Sequence, residues 1–180
     1  LPPGRRPDAK EKMLIPARSQ YLRKQRVMWP SKPQVRSDRL WREDRLHGHD
    51  FFFADTRTER EGRRVANFRS ARIMGSAQMA ALKTWIAARV PNSPPGFIVS
   101  SSILLPRRLP LVRSESMALH CDSWCGYPGS LREVLACLCA HDARRVVFLS
   151  GDEHVSCIAT ITIECKALHK RVVARSIHSS

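Results

Sequence analysis

The sequence predicts a layered α/β fold, a sheet with flanking helices, and three observations lead there. Short apolar runs at residues 51–54, 97–99 and 146–149 each end in a cluster of polar side chains. Two stretches with apolar residues at helical spacing lie between them, and residues 155–163 read as one more strand. The order is therefore strand, helix, strand, helix, strand, strand.

Each element has its own warrant. Residues 1–46 hold Pro2, Pro3, Pro7, Pro16, Pro30 and Pro33 without sustained periodicity, so they read as a basic, irregular segment with at most a short helix near residues 19–28. Phe51-Phe52-Phe53-Ala54 reads as a buried strand that delivers Asp55-Thr56-Arg57 at its carboxyl end. From Ser76 on, Met79, Leu82 and Ile86 recur at helical spacing beside Trp85, and Pro91 closes the segment. Phe97-Ile98-Val99 is a second buried strand, ended by Ser100-Ser101-Ser102.

Ser130-Leu131-Arg132-Glu133 has the form of a capping box, and Leu131, Val134, Leu135 and Leu138 repeat at i, i+3, i+4 and i+7. Val146-Val147-Phe148-Leu149 is apolar on both faces, as expected of a strand with helices on both sides of its sheet. Residues 155–163 fit an edge or return strand. The expected division is a segment over 1–46, a domain over 47–168 and a C-terminal tail over 169–180.

Charge narrows the partners. The 180 residues carry 31 Lys and Arg against 16 Asp and Glu, a formal net charge of +15. Residues 1–72 account for +10 of it, with 19 basic and 9 acidic side chains. Such a surplus attracts polyanions: nucleic acid, phosphorylated substrates or anionic lipid. Tyr21, Trp29 and Trp41 are interleaved with the arginines and could stack on single-stranded bases; the plainer alternative is that they pack on a neighbouring surface. No run approaches the roughly 18 apolar residues that a membrane helix needs.

Cys121, Cys125, Cys137, Cys139, Cys157 and Cys165 read as free thiols, with Cys157 packed as a small hydrophobe in its strand. Free thiols, with no signal-like apolar segment in residues 1–6, favour a cytoplasmic location.

In open α/β sheets ligands bind beyond the carboxyl ends of the strands, which singles out Asp55, Arg57, residues 100–102, and Asp152 with His154. Gly151 permits a tight departure from the strand, and a carboxylate and an imidazole two residues apart can both turn toward one metal ion. The plain alternative is a turn with a capping aspartate and a surface histidine. His47-Gly48-His49-Asp50 stands at the opposite strand end and reads as a solvated loop.

Four segments in order resemble the PhoD-like (alkaline phosphatase D) branch of the calcineurin-like metallophosphoesterases. Phe51 to Arg60 resembles an apolar strand followed by D-T-R-x-x-R, and Ile73 to Ile86 resembles an L/M-G-x-x-Q helix. Asp122-Ser123-Trp124-Cys125-Gly126-Tyr127-Pro128 is similar to a D-x-W-x-G-Y-P loop, with Cys125 where an acid often stands. Residues 97–102 are the remaining segment, and the D-x-W-x-G-Y-P loop is followed by the helix and by residues 147–154.

The resemblance implies a phosphate-ester hydrolase whose metal ions (Ca, Fe, Mn or Zn) activate a water for attack at phosphorus. It places Asp152 and His154 at the metal, gives His154 a catalytic role, and makes Arg57 or Arg60 a phosphate contact, unless these arginines pair with Asp55 or Glu59. Tyr127, with Trp124, could wall the substrate cleft or pack against the following helix. The family's earlier D-x-H or D-x-C, G-D and G-N segments have no counterpart before Phe51, so the expectation is a partial fold corresponding to the C-terminal half, catalytically incomplete by itself. The alternative is a non-catalytic protein that binds nucleic acid or another polyanion on a degenerate phosphatase scaffold.

Overall fold

A two-residue turn brings the chain into its sheet. In the computed structural model, which describes residues 9–21, 23, 39–89, 92–104, 119, 121–151, 154 and 156–179, β1 (Arg42–Leu46) and β2 (His49–Ala54) form an antiparallel hairpin with Leu46 opposite His49. His47 and Gly48, at φ 50° and 81°, make the turn. Two positive φ values match the right-handed twist of the flanking strands. Two units are distinguished, Leu1–Asp38 and Arg39–Ser180, and β1 belongs to the second.

The remaining strands are β3 (Gly96–Ser100), β4 (Val146–Ser150), β5 (Cys157–Cys165) and β6 (Lys170–His178). Their order across the sheet is β1-β2-β3-β4-β6-β5. β2, β3, β4 and β6 are parallel neighbours, whereas β1 and β5 run antiparallel at the two edges. Helices α2 (Ser76–Ala87) and α3 (Pro128–Ala140) connect β2 to β3 and β3 to β4. α1 (Ala9–Gln20) lies in the first unit.

Register explains the core. Phe52, Ile98, Phe148 and Ser176 stand side by side on the four parallel strands and are all buried. Leu82, Trp85 and Ile86 of α2 and Val134 and Leu138 of α3 pack in the same core. Burial of each such apolar side chain stabilises the fold by about 1.5–3 kcal/mol. Trp85 lies so close to β3 that a Cβ on Gly96 would come within 2.7 Å of its ring.

Several expectations need correction. Residues 169–180 are not a tail: β6 sits inside the sheet between β4 and β5. Its alternation is hard to read because the covered row, Val172, Ala174, Ser176 and His178, ends in two polar residues, while Val173 on the other face is exposed. The sheet also begins earlier than residue 47, since the polar strand β1 pairs with β2. The helix of the basic segment is α1, which opens Ala-Lys-Glu-Lys, all good helix formers, and holds Pro16 internally. The expected helix near residues 19–28 lies largely outside the described residues.

Within the second unit α2 and α3 both pack on the face that carries Phe52, Ile98 and Phe148. On the other, Phe51 stacks with Phe53 and Phe97 at centroid distances of 5.9 and 4.9 Å, and these rings are half-buried. Trp41 is buried and stacked 5.8 Å from Phe52, so it packs and is not available to a base; Trp29 lies outside the described residues. α3 begins at Pro128, two residues before the expected cap, because a proline at the first turn needs no hydrogen-bonded N–H. Ser130 is instead buried and accepts a hydrogen bond from the Ile73 N–H at 3.2 Å. All six cysteines are free, and Cys157 is exposed at the start of edge strand β5.

Two outcomes follow for unfolding experiments in urea. Truncation after Leu168 removes a central strand and should abolish the cooperative transition, where loss of a tail would leave it intact. Phe52→Ala should cost about 3–5 kcal/mol, and Phe51→Ala on the half-buried face clearly less.

Candidate functional site

β2 ends at Ala54, and the next residues are folded by their own side chains. Asp55 Oδ1 accepts the N–H groups of Arg57 and Thr58 at 3.0 and 2.9 Å, and Oδ2 accepts the Thr58 hydroxyl. This side-chain turn is why an aspartate suits the position. The Asp55 carboxylate is therefore occupied locally.

A buried amide holds that turn to α2. Gln78 Oε1 accepts the Asp55 N–H at 2.8 Å, while its Nε2 donates to the Asp55 carbonyl at 3.0 Å and to Glu59 Oε2 at 3.1 Å. Glu59 Oε2 also accepts the Gly75 N–H at 3.0 Å. A Cβ on Gly75 would lie 2.7 Å from that oxygen, which explains a glycine just before the helix. The roles of Glu59 and Gln78 were not legible in the sequence; a lone glutamine on the buried face of an apolar helix was the available signal.

Arg57 and Arg60 both reach Asp122, one to each carboxylate oxygen. Neither pairs with Asp55 or Glu59 in this way, because those carboxylates serve the turn and the helix end. Arg60 is anchored: its Nε donates to the Thr56 carbonyl at 2.8 Å and its Nη2 to Ser102 Oγ at 3.2 Å. Arg57 Nη2 donates to the Ser101 carbonyl at 3.4 Å. The Thr56 hydroxyl lies 2.9 Å from Ser101 Oγ and 3.0 Å from Ser102 Oγ, joining the ends of β2 and β3. The side chains of Arg60, Arg57 and Asp122 are 16%, 42% and 56% exposed. Partial burial opposes ionisation of Asp122, but the hydrogen bonds and charges of Arg60 and Arg57 prevail and hold its carboxyl below the ordinary aspartate value.

Tyr127, which the sequence left open between a cleft wall and packing, is only 2% exposed. Its hydroxyl donates to the Glu61 carbonyl at 3.2 Å, and its ring lies under Arg63 and Arg60 at 4.5 and 5.7 Å. It supports the arginines from beneath. Trp124 is buried too, its Nε1 donating to Ser100 Oγ at 3.1 Å. Of the serine cluster, Ser101 is exposed and Ser100 and Ser102 are buried.

At the end of β4, Ser150 Oγ and His178 Nδ1 are hydrogen-bonded at 2.9 Å. Asp152 lies outside the described residues. His154 is exposed, with φ 52°. Among the described residues no group of three or more His, Cys, Asp or Glu could hold a metal ion. The described residues therefore do not by themselves fit a metal centre. His49 Nδ1 is 3.3 Å from the Pro95 carbonyl and Asp50 pairs with Arg89, so the histidine-rich turn is tied to the sheet at the end remote from the arginines.

Gln78→Met should destabilise the fold by about 2–3 kcal/mol, since it leaves buried backbone groups unpaired, as urea unfolding would show. Because the folded-state pKa of Asp122 is depressed, its ion pairs contribute above the ordinary aspartate value and are lost as pH falls through the lowered one. An NMR titration of the Asp122 carboxyl should show this, and Arg60→Ala should move its midpoint upward.

The profile described as PhoD-like phosphatase matches residues 16–180. Superposition on a solved structure titled "Structure of PhoD" gives a TM-score of 0.67 at 15% identity, covering 97% of this chain and 35% of that one, and shows a shared α/β fold. No curated protein matches. Phosphatases of this family are in general metal-dependent. With most of its length matched by that profile, the chain belongs to the PhoD-like phosphatase family.

Proposed function

We propose that this chain forms the phosphate-gripping wall of a metal-dependent phosphoesterase, with Arg57 and Arg60 holding the non-bridging oxygens of a phosphate ester. One observation carries this: two guanidinium groups converge on a single anionic group, Asp122, at the carboxyl ends of parallel strands. Ligands of open α/β sheets bind at that end, and an arginine fork matches phosphate as well as carboxylate. Arg60, fixed by Thr56 and Ser102, is pre-positioned; Arg57 is more exposed and meets the incoming ester first. Asp122 keeps both forks aligned when no substrate is present.

A metal bound in this family's manner would activate water and neutralise phosphoryl oxygens. Asp152 and His154 are proposed as ligands on residue chemistry and family resemblance, and His154 is exposed. Two ligands fall short of a full coordination shell, so hydrolysis depends on further groups.

The test is hydrolysis of an aryl phosphate diester with added Ca, Mn, Fe or Zn. Arg57→Ala should lower kcat/KM by about a hundredfold, as for loss of an oxyanion donor, and Asp152→Ala or His154→Ala should remove the metal response. Inorganic phosphate should raise the melting temperature of the unaltered chain and not of the Arg57→Ala, Arg60→Ala variant. Equal rates and equal phosphate protection in the arginine variants would overturn the assignment. Salt-sensitive binding of single-stranded nucleic acid that survives Asp152→Ala and His154→Ala, without hydrolysis, would favour the polyanion-binding alternative.

A further inference from the structure

The loop that carries Asp122 holds a second chemical feature. Cys121 and Cys125 bring their sulfurs within 2.8 Å of each other, and Ser123 Oγ lies 2.8 Å from each, closing a triangle of three polar atoms. Ser123 is buried, whereas both cysteines are half-exposed and within reach of a small reagent. A short helical turn over Trp124–Gly126 folds Cys125 back toward Cys121. The turn is held on both sides: Arg63 Nη1 donates to the Gly126 carbonyl at 3.0 Å, and the Trp124 N–H donates to the Ile103 carbonyl at 3.2 Å.

We infer that Cys121 and Cys125 are a redox dithiol, a modification site at which a low-molecular-weight disulfide converts two thiols into one intramolecular disulfide. A bonded pair of sulfurs lies about 2.05 Å apart, so closure needs a shift of under about 1 Å.

The two sulfurs are electrostatically unequal. Partial burial works against a thiolate at Cys121, but hydrogen bonds from Cys125 and Ser123 and the charge of Arg63 outweigh it and lower the Cys121 pKa. Cys125 is pushed up to about 11, first by burial and then by its hydrogen bond to Cys121. Cys121 is thus the attacking sulfur and Cys125 the proton-bearing partner. Cys139 is also hydrogen-bonded to Cys165, but it is buried and both burial and that neighbour raise its pKa; burial likewise raises Cys137, and Cys157 stands on an exposed edge strand.

The steps balance. The Cys121 thiolate attacks one sulfur of the small disulfide, forming a mixed disulfide and expelling one small thiolate, which takes up a proton. With Cys121 capped, its contribution to the high pKa of Cys125 disappears. Cys125 then loses its proton, attacks the Cys121 sulfur and expels the second small thiol. One small disulfide is reduced to two thiols, and the protein dithiol is oxidised by the same two electrons. The inference stands on this loop alone and does not require the hydrolytic function.

The experiment uses the full chain, reduced, freed of reductant and exposed to oxidised glutathione near about pH 7.5, then acid-quenched, alkylated and digested with trypsin. Cys121 and Cys125 fall together in the fragment 114–132, and Cys137 and Cys139 in 133–144. The expected result is a 114–132 fragment free of alkyl groups and about 2 Da lighter than its reduced form, with 133–144 doubly alkylated. Cys125→Ser should trap glutathione on Cys121, and Cys121→Ser should slow reaction of the loop at least about tenfold. A doubly alkylated 114–132 fragment, a persistent glutathione adduct in the unaltered chain, or an undiminished rate in Cys121→Ser would each overturn it.

Discussion

The side chain of Gln78 is the constraint on which the site depends. It is a buried amide whose oxygen and nitrogen are both used on the backbone of Asp55, and the same nitrogen reaches Glu59. One residue of α2 thus fixes where β2 stops and how the following turn leaves the sheet. Glu59 closes the system by accepting the N–H of Gly75 at the start of the same helix. Because a buried polar group left without a partner costs far more than a satisfied one returns, the arrangement tolerates little drift. Arg57 and Arg60 inherit their positions from it, which is how a loop gains the precision of the scaffold beneath it.

The chain's large positive charge looks different once the arginines are placed. Arg39 lies over Trp41 at 4.3 Å, Arg42 over Phe53 at 4.4 Å, Arg63 over Tyr127 at 4.5 Å and Arg89 over Trp85 at 4.8 Å. Guanidinium groups covering aromatic faces contribute packing as well as charge. Arg39 is exposed and the other three are half-buried, so these arginines cover aromatic faces while keeping their charge. Arg57 and Arg60 differ from these four in sharing one carboxylate, that of Asp122.

Legibility followed a physical pattern. Strands of unbroken apolar residues, such as Phe51-Phe52-Phe53, announce burial directly, and α2 and α3 announce themselves by period. β1 escaped because four of its five residues are charged, and β6 because its covered row ends in Ser176 and His178; pairing with an apolar neighbour makes them strands. Tyr127 and Trp41 were ambiguous for another reason: an aromatic beside arginines has the same composition whether it faces a ligand or the core. The half-buried rings of Phe51, Phe53 and Phe97 likewise show that apolar character on both faces of a strand does not say what covers the second face.

The sequence by itself determined the α/β class, the two sheet-covering helices, the family resemblance and the polar ends of the strands, because these are local properties of spacing and composition. Tertiary structure alone decided that Arg57 and Arg60 meet on Asp122, that Tyr127 lies beneath them, that β6 is central and that Cys121 faces Cys125. The reason is distance along the chain: Arg57 and Asp122 are 65 residues apart, and no local preference records a contact made by packing two loops on one sheet.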